Sequence, residues 1–305
     1  MLQKFSFVIV AALLSATAFS QEEDLFKMLD EDSKKEEKNR TDYATATFKT
    51  TRLINGHTIE TTGKRVLDFK ISHRFGTVNG GINDFFGLDN ATMRMGFDYG
   101  LTDRFTIGIG RSTFQKQVDG FLKYKVLRQS SGKKVMPVTV TAVATAMIKT
   151  IKDPDQTIKR NFSDRLYYAY QLLIARKFSE GTSIQLAPTV VHHNLVPGAT
   201  DNNDIFALGI GGRQKISKRV SINGEYYFVH PEQRLPNTTN SLSLGVDIET
   251  GGHVFQLHLT NSRGMTERTF ITETDGEWGN GDIYFGFNIS RVFVIGKKKK
   301  IKEPV

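Results

Sequence analysis

Charged side chains at alternate positions are the residues of this 305-residue chain best placed to do chemistry. Lys70, Arg74, Arg94, Lys123, Lys125, Arg165 and Lys177 come first along the chain. Glu225, Asp247 and Asp282 follow, with Asp68 and Asp98 as acidic exceptions within the basic group. If each projects into an enclosed lumen, one wall is basic and the facing wall acidic, and the transverse field resembles that of a selectivity constriction. The same groups could instead form ion pairs in a narrow, filled interior; both readings stay open here.

Other reactive types are sparse. There is no cysteine, which excludes disulfides, thiolate metal sites, thiol catalysis and a lipid anchor on an N-terminal cysteine. His192 and His193 are adjacent, so on a strand they point to opposite faces and cannot share a metal ion. His253 and His258 also differ in parity. His258 shares the polar face with Gln256 and Thr260, and His73 falls on the apolar parity. Ser72 and His73 are neighbours and cannot form a Ser–His pair directly. The glycine-rich pieces 106-TIGIGRS-112 and 207-ALGIGGRQ-214 lack the spacing of a phosphate loop and read as small inward residues at a crowded wall. No enzyme, cofactor or resident metal is expected.

These side chains need strands to position them. In 65-RVLDFKISHRFG-76, Leu67, Phe69, Ile71 and Phe75 take one face while Asp68, Lys70, Ser72 and Arg74 take the other, a two-residue period. Similar runs predict strands over 64–75, 91–101, 105–113, 119–129, 135–149, 164–177, 182–193, 204–215, 219–229, 240–249, 252–262 and 281–295. Most suit a tilted crossing of the hydrocarbon layer, which takes about 9–11 residues. Tight turns near Thr102-Asp103, Ser130–Lys134, Ser179–Gly181, Ser217-Lys218 and Thr250-Gly251 nearly alternate with long polar links at 76–90, 150–163, 194–203, 230–239 and 263–280; only the link 114–118 breaks the pattern by being short. That sorting places short connections at one end and long ones at the other, as in membrane barrels. A closed barrel also leaves no strand edge unpaired in lipid. The expected fold is all-β: a transmembrane antiparallel up-and-down barrel of twelve strands over 64–295.

Ahead of the barrel, residues 1–20 read as a signal peptide, with Lys4, an apolar run from Phe5 to Leu14 and the Ala18-Phe19-Ser20 cleavage pattern. Residues 21–63 form a charged segment with an amphipathic patch at Leu25–Leu29, followed by a hairpin whose turn is Asn55-Gly56. This hairpin is the candidate plug, either lumenal or periplasmic. Residues 296–305 are a basic tail that accounts for part of the net charge of +9. In an exported chain this surplus is not expected to bind nucleic acid.

The stretches 43-YATATFKTTRLINGHTIETTGKRVLDFKISHRFG-76, 84-DFFGLDNATMRMGFDYGLTDRFTIGIGRS-112 and 119-DGFLKYKVLRQ-129 resemble a Bacteroidota family of outer-membrane β-barrels known only as a domain of unknown function. The resemblance implies an outer-membrane barrel and brings no activity or catalytic residues with it. The chain departs from the usual barrel ending: Phe293 is followed by Val294-Ile295 and the basic tail. Together these readings lead to a narrow pore for small polar solutes or ions in the bacterial outer membrane. The alternatives are a structural barrel docking an envelope partner through 21–42 and, more remotely, a lipid-modifying barrel enzyme. Its expected partners are outer-membrane lipid and the barrel-assembly machinery.

Overall fold

The computed structural model describes residues 27–28, 39–153, 157, 160–198 and 200–296. The expected signal at 1–20, residues Leu25, Phe26 and Leu29 of the amphipathic patch, and the basic run 297–302 lie outside the described residues.

The alternating runs form one closed antiparallel barrel. Its strands are β1 (Val66–Thr77), β2 (Ala91–Thr102), β3 (Phe105–Ser112), β4 (Gln117–Leu127), β5 (Thr139–Lys149), β6 (Leu166–Lys177), β7 (Thr182–His193), β8 (Asp204–Lys215), β9 (Val220–Val229), β10 (Ser241–Thr250), β11 (His253–Thr260) and β12 (Tyr284–Val294). Each strand pairs with its sequence neighbours, and β12 closes the wall on β1 with Ile289 opposite Ile71 and Asn288 opposite Ser72. The connections sort by length as expected. One exception is 128–138, where a small antiparallel pair, Thr41–Tyr43 with Ser130–Gly132, makes a separate compact unit. Its ladder is extended by the Lys133 amide donating to the Arg40 carbonyl at 2.9 Å.

Parity separates lipid face from lumen. Along β8, Phe206, Leu208 and Ile210 point outward and are exposed, whereas Ile205 and Ala207 point inward and are buried. Leu244, Val246 and Ile248 continue the outward apolar band on β10. A soluble surface seldom presents apolar side chains in such continuous array. Inside, Arg74 and Lys123 are fully buried, and Arg94, Asp98 and Asp247 are nearly so. Burial this complete in the middle of a twelve-stranded ring means that the lumen is occupied.

Candidate functional site

The occupant is the chain itself. Residues 45–63 enter from the short-turn end, where β1 begins, and fold into a hairpin. The Leu53 amide donates to the Gly56 carbonyl at 2.8 Å, and Arg52 pairs antiparallel with His57. Asn55-Gly56 forms the tip, but neither residue takes the positive φ that makes this pair common in tight hairpin turns. Gly56 is required by close approach, since a Cβ there would meet the Tyr227 hydroxyl at 2.0 Å.

Two wall charges of opposite sign grip the hairpin backbone. The Glu225 carboxylate on β9 accepts the amides of Ile54 (3.3 Å), Asn55 (2.7 Å) and Gly56 (3.1 Å). The Lys123 ammonium on β4 donates to the carbonyls of Thr51 (2.9 Å), Thr58 (3.1 Å) and Glu60 (3.1 Å). A buried tip and its arms would otherwise leave backbone groups without partners, which is costly away from water. Gln185 adds a two-way amide contact, accepting from Ile59 at 2.9 Å and donating to the His57 carbonyl at 2.7 Å. Asn288 donates to the Ile54 carbonyl at 3.0 Å. The Arg74 guanidinium bonds the Asn55 side-chain oxygen and faces His258.

The other flank of the hairpin is apolar. Phe48, Leu53 and Ile59 share one buried cluster with Val143, Leu173, Val191, Ile205 and Tyr227 of β5–β9. Gly211 on β8 leaves room for this contact, because a Cβ would lie 2.5 Å from the Leu53 methyl. The apolar contacts of the hairpin thus gather mainly on β5–β9, interspersed with neutral polar groups such as Thr141, Gln171 and Gln185, while most of the buried wall charges lie on β1–β4, with Glu225 on β9 and Asp247 on β10.

A second segment fills the lumen from the opposite end. The link 261–283 carries a short helix, α1 (Glu267–Thr272), all of whose residues are buried. Thr266 starts it, with its amide donating to the Thr269 hydroxyl at 3.2 Å and its own hydroxyl bonding Gln117 at 2.9 Å. Phe270 stacks edge-on against Tyr227 at 5.0 Å. The two insertions meet at Glu267, whose carboxylate is 3.0 Å from Arg52 and 3.2 Å from His57. Burial, with Arg52 and Lys123 beside it, holds the His57 imidazolium well below the usual histidine range, so this ring is neutral.

The charges anticipated from sequence are paired locally along the wall instead of opposing one another across an open lumen. Lys70 bridges Asp68 (3.0 Å) and Asp98, and Asp68 also accepts from Ser290 at 2.6 Å. Arg94 binds Asp119, with Nε 2.9 Å from Oδ1. Asp247 bonds Gln256 at 2.6 Å, and Lys125 reaches Glu60 of the hairpin at 3.3 Å. The facing-wall arrangement is thus corrected, because cations and carboxylates of β1–β4 neutralise one another within the same wall, Lys70 between Asp68 and Asp98 and Arg94 on Asp119. Three placements also differ from the strand-based expectation. Arg165 precedes β6 in a single 3-10 turn at the long-loop mouth. Lys177 ends β6 at the short-turn mouth, where it pairs with exposed Glu180 at 2.8 Å. Asp282 lies before β12, accepting from Asn79 at 2.6 Å and from the Glu277 amide at 3.1 Å. Arg165 and Asp282 fall off their strands because β6 and β12 begin at Leu166 and Tyr284, later than predicted, whereas Lys177 is the last residue of β6, as predicted, and lies at its rim.

Histidine placement follows parity. His193 is inside, 3.0 Å from the Thr272 hydroxyl, and His192 is outside, 2.7 Å from Asp204. His73 stacks on Phe287 at 4.9 Å on the outer face. Among the described residues no cluster of metal-binding side chains occurs.

Sequence reading missed the α1 insertion, having taken 263–280 as an external loop. Its signal was Thr266 followed by Glu267 and the apolar pair Phe270-Ile271 within an otherwise polar link.

Comparison with solved structures finds barrels of low sequence identity. A COG4313 outer membrane channel from Pseudomonas putida F1 has 12% identity and a TM-score of 0.45, covering 76% of this chain and 96% of that one. Salmonella typhi OmpF, solved in complex with daunomycin, has 8% identity and a TM-score of 0.38, covering 75% and 97%. The CymD monoaromatic hydrocarbon channel has 9% identity and a TM-score of 0.32, covering 77% and 90%. No curated protein matches the chain. A family model does match, over residues 48–293, a span that takes in the hairpin together with almost all of the barrel. The chain belongs to the membrane bound beta barrel domain family DUF5777.

Proposed function

We propose that this chain is a pore of the bacterial outer membrane, closed in its resting form by its own hairpin, for small polar solutes or ions. The observation that carries this reading is the paired clamp of Glu225 and Lys123 on the hairpin backbone. A barrel filled only for stability is better served by apolar contacts, since replacing buried charges with well-packed hydrophobic residues is often neutral or stabilising. A wall lined by Lys70, Arg74, Arg94, Lys123, Asp98 and Glu225 would be hydrated once the hairpin left, and a polar passage along β1–β4 and β9–β12 opens when α1, which loses its Arg52 and His57 partners with the hairpin, shifts as well.

The apolar flank favours a second reading, a closed barrel that docks an envelope partner without transport. Burying Phe48, Leu53 and Ile59 contributes about 1.5–3 kcal/mol each, so spontaneous release of the hairpin is rare. Planar-bilayer recording of the full-length protein and of a variant lacking residues 45–63 separates the two. Silence from the full-length protein with discrete steps from the deletion supports the closed pore. Silence from both, with insertion verified by heat-modifiable gel mobility, supports the docking barrel.

A further inference from the structure

The long-loop mouth holds a cavity of about 510 Å³ with an unusual lining. Its lining is rich in base: Lys149, Lys152, Arg160, Arg165 and Arg268 contribute to it, against Asp153, Asp164 and Glu273. Two of the three carboxylates are committed to arginines, Asp153 to Arg160 at 2.7 Å and Glu273 to Arg268. The third, Asp164, caps the Asn161 amide at 2.8 Å. Among the described residues Lys149, Lys152 and Arg165 form no direct ion pair, so the cations lining the cavity outnumber its carboxylates and three of them have no anion in contact. Apolar residues line the same cavity: Ile151, Leu195, Val196, Pro197 and Leu235.

The floor is pre-organised. The Arg268 guanidinium lies 4.0 Å from the centre of the Tyr167 ring, and both its Nη atoms donate to the Gln115 side-chain oxygen at 2.9 Å. Its Nε–H is buried with no protein partner. A planar cation stacked on an aromatic ring and held from one edge suits a carboxylate better than a point charge would. A hollow lined by both charged and apolar groups selects a ligand that carries both.

We propose that this vestibule is a binding site for small organic carboxylates that carry an apolar body. The carboxylate meets Lys149, Arg165 and Arg268, and the body rests against Leu195–Pro197 and Leu235. Inorganic phosphate satisfies only the basic groups. The proposal deepens the pore reading by naming a solute class, and rests on that reading only for what happens after binding. Arg268 also adjoins Glu267, the residue that holds the hairpin, so a ligand competing with Glu273 for Arg268 acts on the same helix.

The test is isothermal titration of the full-length detergent-folded protein with benzoate, hexanoate and inorganic phosphate, independent of any conductance. The expected result is one saturable site for benzoate or hexanoate. Affinity falls at least tenfold in the Lys149→Gln/Arg165→Gln double variant, whose two changes lie at the rim and leave α1 untouched. Phosphate binds at least tenfold more weakly than the organic anions. A second variant, Leu195→Asp, weakens the organic anions and leaves phosphate within threefold, which a purely electrostatic surface would not do. No heat with either carboxylate, binding unchanged in both variants, or binding of phosphate alone overturns the proposal. Each of these can occur in a protein that conducts or one that does not, so failure here is distinct from failure of the pore.

Discussion

Glu225→Ala is the sharpest perturbation of the hairpin clamp. In the native structure one carboxylate accepts three backbone amides, from Ile54, Asn55 and Gly56. Removing it orphans all three in a buried tip, and each unsatisfied donor costs about 1–3 kcal/mol. Water can enter the space vacated by the side chain, so the low end applies and the sum is about 3 kcal/mol. That shifts the docked–released equilibrium by roughly 150-fold, at about 1.4 kcal/mol per factor of ten. The chain has no cysteine, so Thr58→Cys supplies a single thiol at a position that is fully buried. Maleimide labelling of that thiol in the folded barrel then reports release directly, since the rate scales with the open population when closing is fast. Labelling should accelerate by about two orders of magnitude in the Glu225→Ala background. The parallel variant Asp247→Asn, on a wall carboxylate that reaches the hairpin only through Gln256, whose amide donates to both Asp247 and the Leu53 carbonyl, should change the rate less than about fivefold. A Glu225→Ala protein that keeps its heat-modifiable mobility yet labels within threefold of the parent would falsify the idea that this carboxylate holds the tip.

Further outcomes follow from the same geometry. Lys123→Met leaves three carbonyls without their donor, and thiol labelling at position 58 should rise by about tenfold or more. Gly211→Val places side-chain atoms where the Leu53 methyl lies and should also raise labelling, with relief in a Gly211→Val/Leu53→Ala double variant. Docked His57 stays neutral where a released, solvated histidine with an ordinary value near 6.5 takes up a proton. Acid therefore favours release: the docked form is fully stable above about pH 6.5 and loses about 1.4 kcal/mol for each unit below it. A His57→Asn protein should show labelling that is flat across that window. Leu244→Arg on the outward band should destabilise the barrel in bilayers by about 2–4 kcal/mol, read by urea unfolding from vesicles, whereas a polar change at inward Ser243 carries no such lipid penalty.

The barrel wall is legible from local sequence alone. Side-chain period two is a local property, so Met93, Met95 and Phe97 of β2, or Leu242, Leu244 and Val246 of β10, declare a two-faced strand without knowledge of its partners. Connection length is likewise local, and its sorting separates the ends of the barrel. The Asn55-Gly56 turn was equally plain from the residue pair, although the tip is held by Glu225 and the close approach of Tyr227 and not by positive φ at either residue. Where the hairpin sits was undetermined, since its partners Glu225, Lys123 and Gln185 lie 63 to 171 positions away in the chain. The tertiary structure also decided how charges pair. Arg94 meets Asp119, and Lys70 meets Asp98, because closure and register set which inward side chains are neighbours. Inwardness can be read from parity, but a partner across the ring cannot. The insertion of α1 has the same cause: Thr266–Thr272 is helix-competent anywhere, and it lies inside because Tyr227, Arg52 and His57 offer it a stacking face and a charge for Glu267. Local periodicity specifies a strand's two faces, whereas the contents of an enclosed space depend on contacts that exist only once the ring is closed.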